Sequence, residues 1–261
     1  MSNFVITPFL RGGLGNYIFQ IAASFATSIR DNKTMMVNTS DISVIHNPLE
    51  TYLNNIFRKI KFVDGVDCQY FHDPVQAIQY QLIPNYPGNT KLMGYYQNES
   101  YFNHLRNEML DLFRVDEETK EILFQKYGEI LNGETCSLHV RRGNYVERQQ
   151  YHPLQTVDYY TKSIETIGKD NHYLIFSDDI EWCKENLSFI NNKTFVEGNK
   201  DYEDLYLMSF CKDNIIANSS FSWWGAWLNQ NNDKKVIYPS VWFGNNGQVT
   251  DGIGCVNWIK I

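Results

Sequence analysis

From about residue 135 the chain alternates short apolar runs with longer stretches whose apolar residues recur at helical spacing. The runs at 136–141, 172–177, 194–197, 214–218 and 235–238 predict strands, and 156–168, 179–187, 201–211 and 221–230 predict the helices between them. Strands separated by helices of that length imply right-handed crossovers and a parallel sheet. The start of the chain has the same character. Residues 4–10 predict a strand, Ile18, Ile21, Ala22, Phe25 and Ile29 predict a one-sided helix, and 34–38 predict a second strand. Helical spacing returns at 101–113 and 118–132, whereas 40–100, rich in Asn, Tyr and Pro, shows few periods. The expected fold class is therefore α/β, in two halves that meet near Asn132–Gly133, residues 1–134 and 135–261.

Composition narrows the function. The 261 residues are 43% hydrophobic and 15% aromatic, enough for a substantial core, and flat rings in that number also suit a carbohydrate or nucleotide surface. A formal net charge of −7 argues against non-specific binding to nucleic acid or to an anionic membrane, so any anion site must be a local island of positive charge. Five cysteines without CxxC spacing indicate neither a zinc site nor a disulfide scaffold. No signal peptide or membrane-length apolar segment is evident, so a soluble, cytoplasmic protein is expected.

Four strings carry candidate chemistry. In FLRGGLGNY (9–17), Gly12, Gly13 and Gly15 separate a strand from a helix, a place where bare backbone lets a ligand approach, though a tight turn alone would also use them. In SLHVRRGNY (137–145), alternation puts His139 and Arg141 on one strand face and Val140 and Arg142 on the other. A guanidinium there can hold a phosphate bidentately, or the two arginines can simply pair with nearby carboxylates. Ser177, Asp178 and Asp179 follow the next strand, as helix caps or as a carboxylate for a nucleotide. In IIANSSFSWWGAWLNQ (215–230), a strand stops at Asn218-Ser219-Ser220 before a helix carrying Trp223, Trp224 and Trp227. Serine hydroxyls and free amides there form an anion cradle.

Taken in order, GGLGNYIFQIA (12–22), GYYQNESYF (94–102), SLHVRRGNY (137–145), FSDD (176–179) and DLYLMSFCKDNIIANSSFSWWGAWL (204–228) resemble the α-1,2-fucosyltransferases of glycosyltransferase family 11. The resemblance implies two facing Rossmann-like domains of GT-B type, with the active site in the cleft between an acceptor-side domain and a GDP-sugar-binding domain. It implies GDP-β-L-fucose as donor, a terminal galactose 2-hydroxyl on a glycan as acceptor, inversion by direct displacement, and no metal or other cofactor. Arg141 would grip the β-phosphate, with His139 beside it and Asn16 reaching towards the reacting centre. Arg142, Asp178, Ser219, Ser220, Phe221, Ser222, Gly13 and Gly15 would serve the donor.

Two departures from the family pattern fall on the acceptor side. The family usually reads RRGD where this chain has Asn144, and usually has Gln where this chain has Tyr17. The general base is then unassigned, with Glu147 and Asp178 as candidates beside late proton loss to solvent. Two alternatives stand beside the first reading: a same-scaffold transferase using another GDP-6-deoxysugar or making another linkage, and a glycan- or nucleotide-binding protein without catalysis.

Overall fold

The computed structural model describes residues 4–44, 47–74, 78–244 and 252–261. The chain divides into two units, one running to Asp116 with Gly252 and Ile253 added, the other from Glu117 with Gly254–Ile261. Both are α/β with parallel sheets, as the sequence predicts.

The first unit runs β1 (Val5–Pro8), β2 (Leu10–Gly12), α1 (Leu14–Arg30), β3 (Thr34–Met35), β4 (Val37–Asn38), β5 (Ile42–Val44), α2 (Glu50–Leu53), β6 (Phe62–Val63), β7 (Tyr70–His72), β8 (Thr90–Leu92) and α3 (Arg106–Leu112). Its main sheet has the order β3-β1-β8-β7, and β2–β5 and β4–β6 form separate parallel pairs. The strand expected at 4–10 is therefore broken. Pro8 closes β1, the Phe9 N–H goes to the Leu92 carbonyl at 2.9 Å, and Leu10 starts a new pairing with Ile42. The strand expected at 34–38 breaks in the same way, because the Val37 N–H turns to Lys61 O, 2.9 Å away. Helix α1 is buried along nearly its whole length, Phe19 and Ala23 as well as Ile18 and Ile21, while Ile29 is exposed. The one-sided reading of this helix is corrected accordingly. Thr27 and Ser28 tolerate burial because their hydroxyls donate back to Ala23 O and Phe25 O, each at 2.7 Å.

The second unit runs α4 (Glu117–Leu131), β9 (Thr135–Val140), α5 (Val157–Ile167), β10 (His172–Ser177), α6 (Ile180–Asn186), β11 (Lys193–Phe195), α7 (Asp201–Phe210), β12 (Asp213–Ile215), α8 (Ser220–Leu228), β13 (Val236–Tyr238) and β14 (Ile259–Lys260). Helix α4 goes with this unit, which moves the division ahead of the 134/135 boundary expected from sequence. Its Lys126 ammonium donates to Glu197 O at 3.0 Å and Asn199 Oδ1 at 2.7 Å, and Phe124 packs on Phe210 at 5.4 Å.

All six strands of its sheet are parallel, in the order β11-β10-β9-β12-β13-β14. Every residue of β9 is buried, as a central parallel strand requires. Leu138 and Val140 join Tyr160, Ile164, Ile175 and Ile215 in the core. The connecting helices start where caps allow: Thr156 Oγ1 accepts the Tyr159 N–H at 3.2 Å, and Asp179 Oδ1 accepts that of Trp182 at 3.2 Å. Helix α8 buries all three of its tryptophans, Trp223 lying parallel to Trp227 and edge-on to Trp224. No described helix is long and apolar enough to cross a membrane, and Cys68, Cys136, Cys183 and Cys211 are free thiols.

Candidate active site

Three loops leave the C-terminal ends of the adjacent strands β10, β9 and β12, and each carries one of the strings singled out above. This edge of an open parallel sheet is where ligands of α/β proteins bind. The register Val140↔Ser177 sets the end of β9 against the end of β10, so Arg141–Arg142 meet Asp178–Asp179.

Arg141 is held on two sides. One guanidinium nitrogen pairs with Asp178 Oδ2 at 2.9 Å, the other donates to Asn144 Oδ1 at 2.7 Å, and the group lies 5.2 Å from the Tyr145 ring centre. Asp178 Oδ1 also accepts the Arg142 backbone N–H at 2.8 Å, so one carboxylate fixes both the side chain and the loop. Gly143 is needed for this approach, since a Cβ there would collide with Asp178 Oδ2. Arg142 turns away: its Nε donates to Asp179 Oδ2 at 2.9 Å and its guanidinium covers the Trp182 ring at 4.4 Å. It anchors the loop to the start of α6 instead of standing beside Arg141. The arginines thus do pair with carboxylates, while Arg141 keeps a quarter of its side chain exposed at the strand edge.

His139, expected beside Arg141 at the phosphate, is buried instead of open to a ligand. It is only 6% exposed, its Nδ1 shares a 2.8 Å hydrogen bond with Ser222 Oγ, and its ring packs on Phe221. Burial, reinforced by the Arg141 charge, pushes its pKa down to about 3, so the imidazole is neutral and ties β9 to the first turn of α8. Ser222 is likewise buried: at 1% exposure its hydroxyl serves His139, leaving only its backbone N–H for a donor. Ser219 precedes α8 without capping it through its side chain, so the first N–H groups of α8 have no partner within the helix. Ser220 and Phe221 are partly exposed at that end. Asn218 supports it from behind, donating to Pro153 O at 3.0 Å and Trp242 O at 3.1 Å.

Residue Tyr145 donates its hydroxyl to Asn218 O at 3.2 Å, and its ring stacks on His152 at 4.5 Å and 15°. Burial, then the charges of Arg141 and Arg148, lower the His152 pKa. Sequence reasoning assigned neither residue. Both follow the RRG string within a short span, the one signal that would have found them. Glu147 is exposed on the same segment.

In the first unit, Gly12 has φ +93° and a Cβ there would collide with the Asn16 amide, so no side chain fits. Gly13 precedes α1 without a side-chain cap, and its carbonyl accepts the N–H groups of Asn16 and Tyr17. Gly15 is buried within α1. Asn16 Oδ1 accepts from Gln97 Nε2 at 2.7 Å. Tyr17, expected on the acceptor side, is 2% exposed and donates its hydroxyl to Ser43 O at 3.0 Å. It braces β5 against α1 and presents no face to a ligand.

A family model described as glycosyl transferase family 11 matches residues 4–261. The chain is similar to the alpha-1,2-colitosyltransferase of Escherichia coli, 30% identical over 92% of either chain. It is similar to the galactoside 2-alpha-L-fucosyltransferase of Caenorhabditis elegans, 24% identical over 91% of this chain and 72% of that one. Among solved structures, the alpha-1,6-fucosyltransferase NodZ of Bradyrhizobium co-crystallized with GDP shares the fold, with a TM-score of 0.60 at 12% identity over 86% of this chain and 92% of that one. The match spans the strand-edge loops of both units, and the chain belongs to glycosyl transferase family 11.

Proposed function

We propose that the protein transfers L-fucose from GDP-β-L-fucose to the 2-hydroxyl of a terminal galactose, with inversion and without a metal ion. A GT-B arrangement, with the active site in a cleft, is part of the proposal. The observation that carries it is the set of three loops at the C-terminal edge of β10, β9 and β12, with Arg141 presented there between Asp178 and Asn144. In this reading the bond between the sugar's C1 and the β-phosphate oxygen breaks as the acceptor oxygen bonds to C1. Negative charge gathers on GDP and the acceptor's hydroxyl proton leaves to a base or to solvent. Arg141 and the first amides of α8 stabilise that charge. A preorganised donor of this kind contributes about 3 kcal/mol. Asp178 and Asn144 hold the guanidinium in place before the phosphate arrives, and Ser219, Ser220 and Phe221 line the other side.

A second reading changes the donor sugar and keeps the scaffold. It is favoured by the similarity to an enzyme described as an alpha-1,2-colitosyltransferase over 92% of the chain. Thermal shift with GDP, UDP, ADP and CMP, with and without EDTA, tests the nucleotide. GDP at a hundred times its dissociation constant stabilises by about 2.7 kcal/mol. Selective stabilisation by GDP, indifferent to EDTA and lost in Arg141→Ala, is the expected result. Transfer from GDP-fucose to lactose, with linkage analysis of the product, then separates the two donors. No preference for GDP would overturn both readings.

A further inference from the structure

In the first unit, two buried polar atoms near the Gly12 turn lack partners among the described residues: Arg11 Nε and Gln97 Oε1. Gln97 is 8% exposed and spends its Nε2 on Asn16. Reversing the amide would not remove the difficulty, because one end of Gln97 would still face nothing. An unmade hydrogen bond at a buried polar atom is costly, so two on neighbouring segments require an explanation. Two contacts join the segments 11–16 and 95–97. Arg11 lies over the Tyr95 ring at 4.5 Å, and Asn16, held against Gly12, accepts from Gln97. Tyr96, between Tyr95 and Gln97, holds φ +52°, a strained value for a residue with a side chain.

We propose that Arg11, Tyr95, Gln97 and Asn16 form a binding subsite for a neutral sugar ring, the acceptor glycan of the transfer proposed above, on which reading this inference rests. The orphaned atoms define the ligand. Gln97 Oε1 needs a donor and Arg11 Nε needs an acceptor, and a sugar hydroxyl is both at once. A phosphate ester at neutral pH is a poor match, because it offers no proton to Gln97. Arg11 makes no ion pair among the described residues. The nearby tyrosine supplies a flat face of the kind that sugar C–H surfaces pack on.

The test is direct binding of methyl β-D-galactopyranoside to the full chain by saturation-transfer NMR, with titration, for the wild type, Gln97→Met and Arg11→Lys. Arg11→Lys keeps the charge and the bulk but has no Nε, so it reports on the subsite even if Gln97→Met fails to fold. The expected result is galactoside binding to the wild type and at least tenfold weaker binding to each folded variant, with the GDP dissociation constant changed less than twofold. Galactoside binding unchanged in Arg11→Lys would overturn the proposal, as would its absence from a wild type that binds GDP. GDP affinity that falls in parallel with galactoside affinity would also overturn it. Failure of the donor reading is scored separately, by GDP selectivity and Arg141→Ala.

Discussion

Asp178 holds Arg141 and the loop beside it with one carboxylate: Oδ2 pairs with the Arg141 guanidinium at 2.9 Å while Oδ1 accepts the Arg142 backbone N–H at 2.8 Å. An arginine so held loses little conformational freedom when a phosphate binds. Arg141→Ala is expected to lower kcat about 100- to 1000-fold, the effect of deleting a preorganised charge-stabilising donor. Arg141→Lys recovers little of this, because an ammonium cannot span Asp178 and Asn144 and still present a fork. Steady-state kinetics with GDP-fucose and lactose check both.

Gly143→Ala is expected to act through Asp178. The added Cβ would come within 2.2 Å of Asp178 Oδ2, so the carboxylate must swing out and release Arg141. Loss of GDP affinity should match that of Asp178→Ala, and the double variant should be no worse than either single one. A double-mutant cycle by calorimetry gives the coupling. Additive losses would mean that the glycine serves only the backbone.

The second unit was legible because its central strands are buried on both faces and α5 and α6 begin at recognisable caps. The expected run 172–177 is His172–Ser177 in the structure, and 136–141 is Thr135–Val140. Its last strand, Ile259–Lys260, was missed because two residues carry no period. The first unit was harder because its strands are two to four residues long and long-range side-chain bonds hold its loops. Lys33 donates to Gly88 O at 3.1 Å, for example, and Asn89 Oδ1 accepts the Val5 N–H at 2.9 Å. In the site, the strand-edge position of Arg141 followed from alternation and its carboxylate partners from one of the two open readings. That Asn144 gives Arg141 an oxygen much as an aspartate would was invisible without the geometry. So was Tyr17, whose chemistry suits a sugar but whose ring is buried.

The link between His139 and Ser222 gives a stability prediction. Ser222→Ala removes the hydroxyl that shares a hydrogen bond with a buried imidazole nitrogen, and a cost of about 1–3 kcal/mol is expected. The imidazole also makes folding sensitive to acid. Its pKa is about 3 when folded and near 6.5 when unfolded, so between these values the unfolded chain takes up a proton that the native state refuses. Stability from this group is complete above pH 6.5 and is lost as pH falls towards 3. Urea denaturation across that range should show the loss in the wild type and a flatter profile in His139→Gln.

Asp204 works in the opposite sense. It lies in the first turn of α7, accepting from Asn199 Nδ2 at 2.9 Å, and burial pushes its pKa up to about 7. Asp201 and Glu203 on the same helix push the same way, while Lys126 of α4 and the Asn199 hydrogen bond oppose them. Between 3.8, its ordinary value, and about 7 the folded chain keeps a proton that the unfolded chain has released. Raising the pH through that window therefore weakens the fold, and above it the penalty is constant. Asp204→Asn keeps an oxygen for Asn199 and carries no charge, so it should be more stable than the wild type at pH 8 and nearly equal to it at pH 4. Because the His139 and Asp204 windows overlap, the wild-type profile between pH 4 and 6.5 is a partial cancellation. The Asn variant should expose the rise in stability with pH that His139 alone produces. A profile for Asp204→Asn that parallels the wild type from pH 4 to 8 would show that the carboxyl ionises normally in the folded chain.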